Sequence, residues 1–259
     1  MNTHLESEEK KDGSQTVETK LDYRMPIYLQ LREIVRSKIE EGEYLPGTAI
    51  PSENKLAETF GINRLTVRNA VDALVNEGLL HRVQGKGVFV VGNKYEKALE
   101  EEGGFIGTFS GGSGHKRISI KEQTKMLRPA GNKYANHFNI GLDDLIFYIR
   151  HFVTLDSESV SLEEFFVPKE ILPELEIVDS SIFTIKDIFA FYGIELCSMS
   201  QSMEIIDGAS KISKLLDTPE GIALIMLTCN YRDNNGRLIA YSRSFIRSDK
   251  SLFSIKLHK

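Results

Sequence analysis

The chain has 259 residues, 41% of them hydrophobic and 27% charged, with a formal net charge of −5. That length and apolar content suit two domains with real cores, and the acidic sum excludes a protein that grips polyanions over its whole surface. No apolar run is long enough to span a bilayer, and the opening residues MNTHLESEEKKDG lack the apolar centre of a signal peptide, so a cytoplasmic protein with no membrane partner is expected. Cys197 and Cys229 have no CxxC spacing and no companion histidine. They argue against a disulfide framework and a structural zinc site, and no metal or cofactor is expected.

Residues 1–24 hold few apolar side chains and many charges, a composition that predicts a disordered tail. From Pro26 to Glu41, Ile27, Leu31, Ile34, Val35 and Ile39 share one face of a helix that Gly42 stops. The stretch from Pro51 to Val91 then predicts a helix-turn-helix. Leu56, Ala57 and Phe60 give its first helix a buried face, and Val67, Ala70, Val71, Leu74 and Val75 repeat at helical spacing in the second. Ser52 and Asn63 suit the two N-caps, while Gly61 and Gly78 suit the ends. Leu79–Val83 and Val88–Val91 are β-prone runs separated by Gln84-Gly85-Lys86-Gly87, a hairpin with a small basic tip. The domain so defined covers 25–92, and the charged, glycine-bounded stretch 93–104 is expected to be a linker.

Arg64, Thr66, Arg68 and Asn69 lie near the start of the second helix, away from Val67, Val71 and Leu74, where side chains can reach base edges in a major groove. Charges over 25–92 balance at eight basic and eight acidic residues, but Arg64, Arg68, Arg82 and Lys86 gather on this helix and the hairpin. Such a local positive face predicts a moderate salt dependence for DNA binding.

The region resembles the winged-helix domain of GntR-family transcriptional regulators. The matching positions are Pro26-Ile-Tyr28-Leu-Gln30, Gly47 followed by Ile50-Pro-Ser-Glu53, Leu56-Ala57, Phe60-Gly61, Arg64-Leu-Thr66-Val-Arg68, Glu77-Gly-Leu-Leu80 and Gln84-Gly-Lys-Gly87. By that resemblance Arg64 and Arg68 read bases or grip phosphates, Ser52 and Thr66 hold phosphate, and Gly85-Lys86-Gly87 enters the minor groove of double-stranded operator DNA. Asn54, beside Lys55, stands where most relatives carry arginine, which favours adenine at the contacted base.

Beyond the linker, strands are predicted over 117–127, 145–155, 160–167, 195–206, 222–232 and 237–247, with helices over 130–138 and 182–192 and a short one from Asp207 to Leu216. Antiparallel hairpins interleaved with helices describe an α+β domain built on one sheet. No catalytic set stands out: the histidines are scattered, and Glu163-Glu164 on one strand point to opposite faces. Gly111-Gly-Ser-Gly-His-Lys116 lacks the GK[ST] ending of a phosphate loop.

Residues 105–259 resemble the UTRA effector-binding domain of the HutC branch of that family, whose fold is shared with chorismate lyase. The landmarks are Arg150, Leu162-Glu163, Phe166-Val-Pro168, Ile182-Phe183, Tyr231-Arg232-Asp233, Gly236, Tyr241-Ser242-Arg243, Arg247 and Asp249. The resemblance implies a homodimer that binds a small metabolite such as a sugar phosphate. Thr108 and Ser110 lie where relatives meet the phosphate. Arg150, facing inward from a strand, needs an anion, either the ligand's or that of Glu163 on the neighbouring strand. Tyr241 either meets a sugar ring or belongs to the core, and Arg243 lies beside it. Ala240 stands where the family carries glutamate, which argues against an amino-sugar phosphate.

The expected function is therefore a ligand-responsive transcriptional regulator, a repressor, and not an enzyme. Two rivals stand beside it: a lyase or esterase tethered by a winged helix, and a winged-helix scaffold that answers no small molecule.

Overall fold

The computed structural model describes residues 25–92, 105–109, 118–207 and 211–255. The tail expected over 1–24, the linker over 93–104, Ser110 and the glycine-rich 111–116 lie outside the described residues.

Three helices, α1 (Ile27–Glu40), α2 (Glu53–Phe60) and α3 (Arg64–Asn76), precede a hairpin of β1 (Leu80–Val83) and β2 (Gly87–Val90). Local sequence starts the second and third helices as expected. Ser52 Oγ accepts from the Lys55 amide at 3.2 Å, Asn63 Oδ1 accepts from the Thr66 amide at 2.8 Å, and Gly61 ends α2 at φ +63°. Pro26 is the N-cap of α1 and not its first residue, as its fixed φ and missing N–H allow. Leu31, Val35, Leu56, Val67, Ala70, Val71 and Leu74 close one core with Leu80, Val88 and Val90.

The second domain is an antiparallel six-stranded sheet flanked by short helices. In chain order it holds β3 (Phe105–Phe109), β4 (Ile118–Pro129), α4 (Gly131–Phe138), β5 (Leu145–Leu155), β6 (Glu158–Pro168), α5 (Ile185–Phe191), β7 (Ser198–Ile206), α6 (Lys211–Leu215), β8 (Leu224–Arg232), β9 (Leu238–Arg247) and β10 (Ser251–Ile255). The large sheet runs β4-β5-β6-β9-β8-β7, while β3 and β10 pair apart from it. Period-two alternation gives the sheet two faces. On one, Phe147, Ile149, Val167, Cys229 and Tyr231 pack under Ile188 and Phe189 of α5. On the other, Ile146 and Phe166 pack under Tyr134, Ala135 and Phe138 of α4, and Leu162, Leu224 and Phe245 pack with Leu216. Among the described residues no helix is long and apolar enough to cross a membrane.

The same alternation joins the domains. Val88 and Val90 of β2 enter the winged-helix core, whereas Phe89 and the following Val91 enter the core of the second domain beside Val178, Phe183 and Phe191. Phe89 meets Phe183 edge-on with ring centroids 6.3 Å apart. Two glycines permit the approach. A Cβ on Gly47 would lie 2.7 Å from Val178 Cγ1, and one on Gly92 would lie 2.6 Å from Phe191 Cα. The Gly47 carbonyl accepts from the Asp179 amide at 3.2 Å, and Tyr192 Oη donates to the Pro46 carbonyl at 3.0 Å. Sequence placed Val91 in the wing alone; its side chain instead belongs to the domain junction.

Burying Phe89 contributes on the order of 2–3 kcal/mol to this junction. Phe89→Ala leaves every member of the winged-helix core in place, so it is expected to split one cooperative thermal transition into two. Scanning calorimetry of the full chain checks this.

Candidate nucleic-acid interface and ligand cavity

The first helical turn of α3 presents Arg64, Leu65, Arg68 and Asn69 to solvent. Arg64, Arg68 and Arg82 of β1 converge on one carboxylate, Glu53, at 3.3, 3.4 and 2.7 Å. Burial raises the pKa of Glu53, but hydrogen bonds from Arg82, Arg64 and Arg68 outweigh it and hold the carboxyl below its ordinary value. Arg82 also reaches Asp72 at 2.6 Å. Glu53 was not among the site residues expected from sequence. Its signal lay in Pro51-Ser-Glu, where an acid opens a helix that faces a second helix rich in arginine.

A cleft of about 370 Å³ runs between Ser52, Glu53, Asn54, Arg64 and Arg68 on one side and the hairpin residues Arg82–Val88 on the other. The expected contacts divide by chemistry. Ser52 Oγ accepts in its cap, so its proton is free to donate to a phosphate, whereas Thr66 Oγ1 already donates to Asn63 Oδ1 at 3.0 Å. Asn54 and Lys55 are exposed on α2, and Lys55 lies 3.7 Å from Glu58. At the hairpin tip Gly85 and Gly87 are exposed, while Lys86 Nζ donates to Ser181 Oγ of the second domain at 2.7 Å. The wing tip is therefore turned onto its own chain.

Ser181 also lines a cavity of about 310 Å³ between the sheet and the segment leading into α5. Ile120, Ile149, Phe165 and Ile188 supply apolar walls; Glu163, His151, Tyr231, Ser180, Thr184 and Lys186 supply the polar groups. Glu163 is half-buried in the cavity wall, and burial pushes its pKa up to about 7. Burial also lowers His151 to about 4, Glu122 and Asp179 pulling weakly the other way. Ser180 Oγ lies 2.9 Å from His151 Nε2 and donates to Glu122 Oε2 at 2.6 Å. The serine proton points at the carboxylate, so the neutral imidazole must donate from Nε2 and cannot act as base toward Ser180. This order of partners does not make a nucleophile.

Of the residues expected to bind effector, Ser110 lies outside the described residues, and the rest of the set divides across the sheet. Thr108 sits in β3, opposite Leu252 of β10. Glu163 faces the cavity, but Arg150, Tyr241 and Arg243 occupy the reverse face of the sheet. There Glu164, and not Glu163, is the partner of Arg150, at 3.0 Å. The register pairs Arg150 with Glu164 and His151 with Glu163, and directly opposed residues share a face. Arg243 Nε also donates to Glu164, as does Tyr148 Oη at 2.5 Å. Tyr241 packs edge-on against His137 at 4.7 Å between centroids and near Phe166 at 5.8 Å, a core position. His151, Ser181 and Phe183, which sequence did not select as site residues, line or border the cavity; no local pattern marks them.

Adjacent glutamates thus have opposite energetics. Glu163 has a folded pKa above its unfolded one, so its stabilising contribution is full at low pH and lost as pH rises through about 7. Glu163→Gln should leave the urea midpoint near that of wild type at pH 4.5 and raise stability at pH 8.5, by up to about 3 kcal/mol. Glu164→Gln should instead destabilise at pH 8.5 by about 3 kcal/mol, because it strands two guanidiniums.

The chain matches the bacterial regulatory proteins of the gntR family over residues 27–90 and the UTRA domain over residues 119–251. It is 28% identical over 234 residues to the HTH-type transcriptional repressor NagR of Bacillus subtilis (strain 168), covering 88% of this chain and 93% of that protein. It is 25% identical over 236 residues to the mannosyl-D-glycerate transport/metabolism system repressor MngR of Escherichia coli (strain K12), covering 89% and 95%. Among solved structures, PhnF from Mycobacterium smegmatis is similar with a TM-score of 0.51 at 18% identity, over 90% of this chain and 99% of that one. The C-terminal domain of the histidine utilization repressor from Pseudomonas syringae pv. tomato str. DC3000 gives 0.51 at 15%, over 55% and 100%. At these identities the structural likeness is one of fold.

Proposed function

Because this chain belongs to the gntR family of bacterial regulatory proteins and carries a UTRA domain, we propose that it represses transcription by holding operator DNA until a small effector enters the cavity beside α5. It is a ligand-responsive DNA-binding regulator, as the repressors NagR and MngR among its relatives support. As a homodimer it sets two α3 helices on half-sites one helical turn apart, roughly 34 Å. Arg64 and Arg68 read bases or grip phosphates, Ser52 donates to phosphate, Asn54 and Lys55 meet the flank, and Gly85-Lys86-Gly87 enters the minor groove.

One observation carries the coupling: Ser181 both lines the cavity and holds Lys86 of the wing tip. A lysine bound to Ser181 is not bound to DNA. The docked wing is the released state, and an effector that favours the present placement of residues 180–184 draws the population toward it. An anion-bearing effector such as a sugar phosphate loses its expected partner, since Arg150 is committed to Glu164 on the reverse face.

The test is release of a labelled duplex, cut from DNA upstream of this protein's gene, on titration with a panel of small metabolites. Ser181→Ala should bind that duplex more tightly than wild type and need more effector to let go; identical curves would remove the wing contact from the mechanism. Arg68→Ala should cost roughly 1–3 kcal/mol of operator affinity. Glu53→Gln frees three arginines from their common partner, so it should strengthen binding to random duplex, steepen the salt dependence and lower the specificity ratio. Parallel titrations at two salt concentrations measure all three.

A further inference from the structure

The chemistry of the cavity goes beyond the existence of an effector site to the class of ligand it selects, an inference that rests on the cavity being that site. Among the described residues the half-buried Glu163 has no hydrogen-bond or ion-pair partner, whereas Glu164 beside it holds two arginines. Its walls are aliphatic and aromatic, and no arginine lines it among the described residues. The arginines nearest in sequence, Arg150 and Arg243, project from the other face and are both spent on Glu164. The remaining titratable groups that line the cavity are His151, neutral and donating to Ser180, Tyr231, whose pKa burial raises, and Lys186 on α5.

We propose that the effector is a small amine with an apolar body, and that its ammonium group pairs with the Glu163 carboxylate. A lone carboxylate in an apolar cavity is costly to ionise, and a cation placed against it offsets that cost, whereas a phosphate or carboxylate there adds like-charge repulsion. The apolar walls take the body of the ligand. Because the empty pocket favours the protonated acid below about pH 7, an ammonium that demands the ionised acid releases a proton on binding there.

Calorimetry on the full chain at pH 6 tests this with three matched probes: phenethylamine, phenylacetate and phenyl phosphate. Phenethylamine is expected to bind wild type at least tenfold more tightly than either anion, with net proton release seen as a buffer-dependent heat. Glu163→Gln, which keeps the fold, is expected to lose at least tenfold for the amine and to abolish the proton release. Tighter binding of an anion, equal amine affinity in the variant, or no amine binding overturns the amine class while leaving the cavity open to another effector. The operator-release assay separates the other failure. If phenethylamine binds through Glu163 but saturating amounts leave the duplex bound, the amine site stands and its role as the effector site falls.

Discussion

Strand β2 belongs to two cores at once, and the rest of the architecture depends on that. Its alternation sends Val88 and Val90 into the helix-turn-helix and Phe89 into the effector domain, with Val91 continuing the series. A strand that is apolar on both faces must be covered on both. The winged helix therefore cannot shed its partner domain without exposing Phe89 and Val91 to water. Gly47 and Gly92 let the backbones close to the needed distance, and the segment from Val178 to Phe183 becomes the surface on which the wing rests.

That segment meets both the cavity and the wing, which is the basis of the proposed coupling. Residues of the segment wall the cavity, and the segment also holds the winged-helix domain through Ser181, the Asp179 amide and the Phe183 ring. A ligand in the cavity changes the free energy of the wing contact, and linkage requires the reverse as well. No long relay is involved; the coupled groups are neighbours in one short stretch of chain.

Carboxylates organise the charge. Glu53 gathers three arginines and so orders the exposed edge of α3 and the hairpin, at the cost of some of its positive field. Glu164 gathers Arg150 and Arg243 on the reverse face and so removes both from ligand chemistry. Glu163, one residue away, is left unpaired beside the cavity. The contrast arises from strand geometry alone, since successive side chains leave a strand in opposite directions.

The helix-turn-helix, its caps, the wing and the antiparallel α+β character of the second domain were legible in sequence, because capping residues, glycine ends and apolar period are local signals. The exposed positions of Arg64 and Arg68 on α3 were legible for the same reason: a helix fixes which residues share a face. Strand pairing register is not local, so the sequence offered Arg150 either a ligand anion or Glu163 when the fold pairs it with Glu164. Glu53 as the hub of three arginines, Ser181 as the holder of Lys86 and the unpartnered state of Glu163 depend on residues 11 to 95 positions apart. Periodicity and propensity set each segment's own shape and buried face; only tertiary packing decided which charged side chains meet, because that choice is made by long-range register and burial.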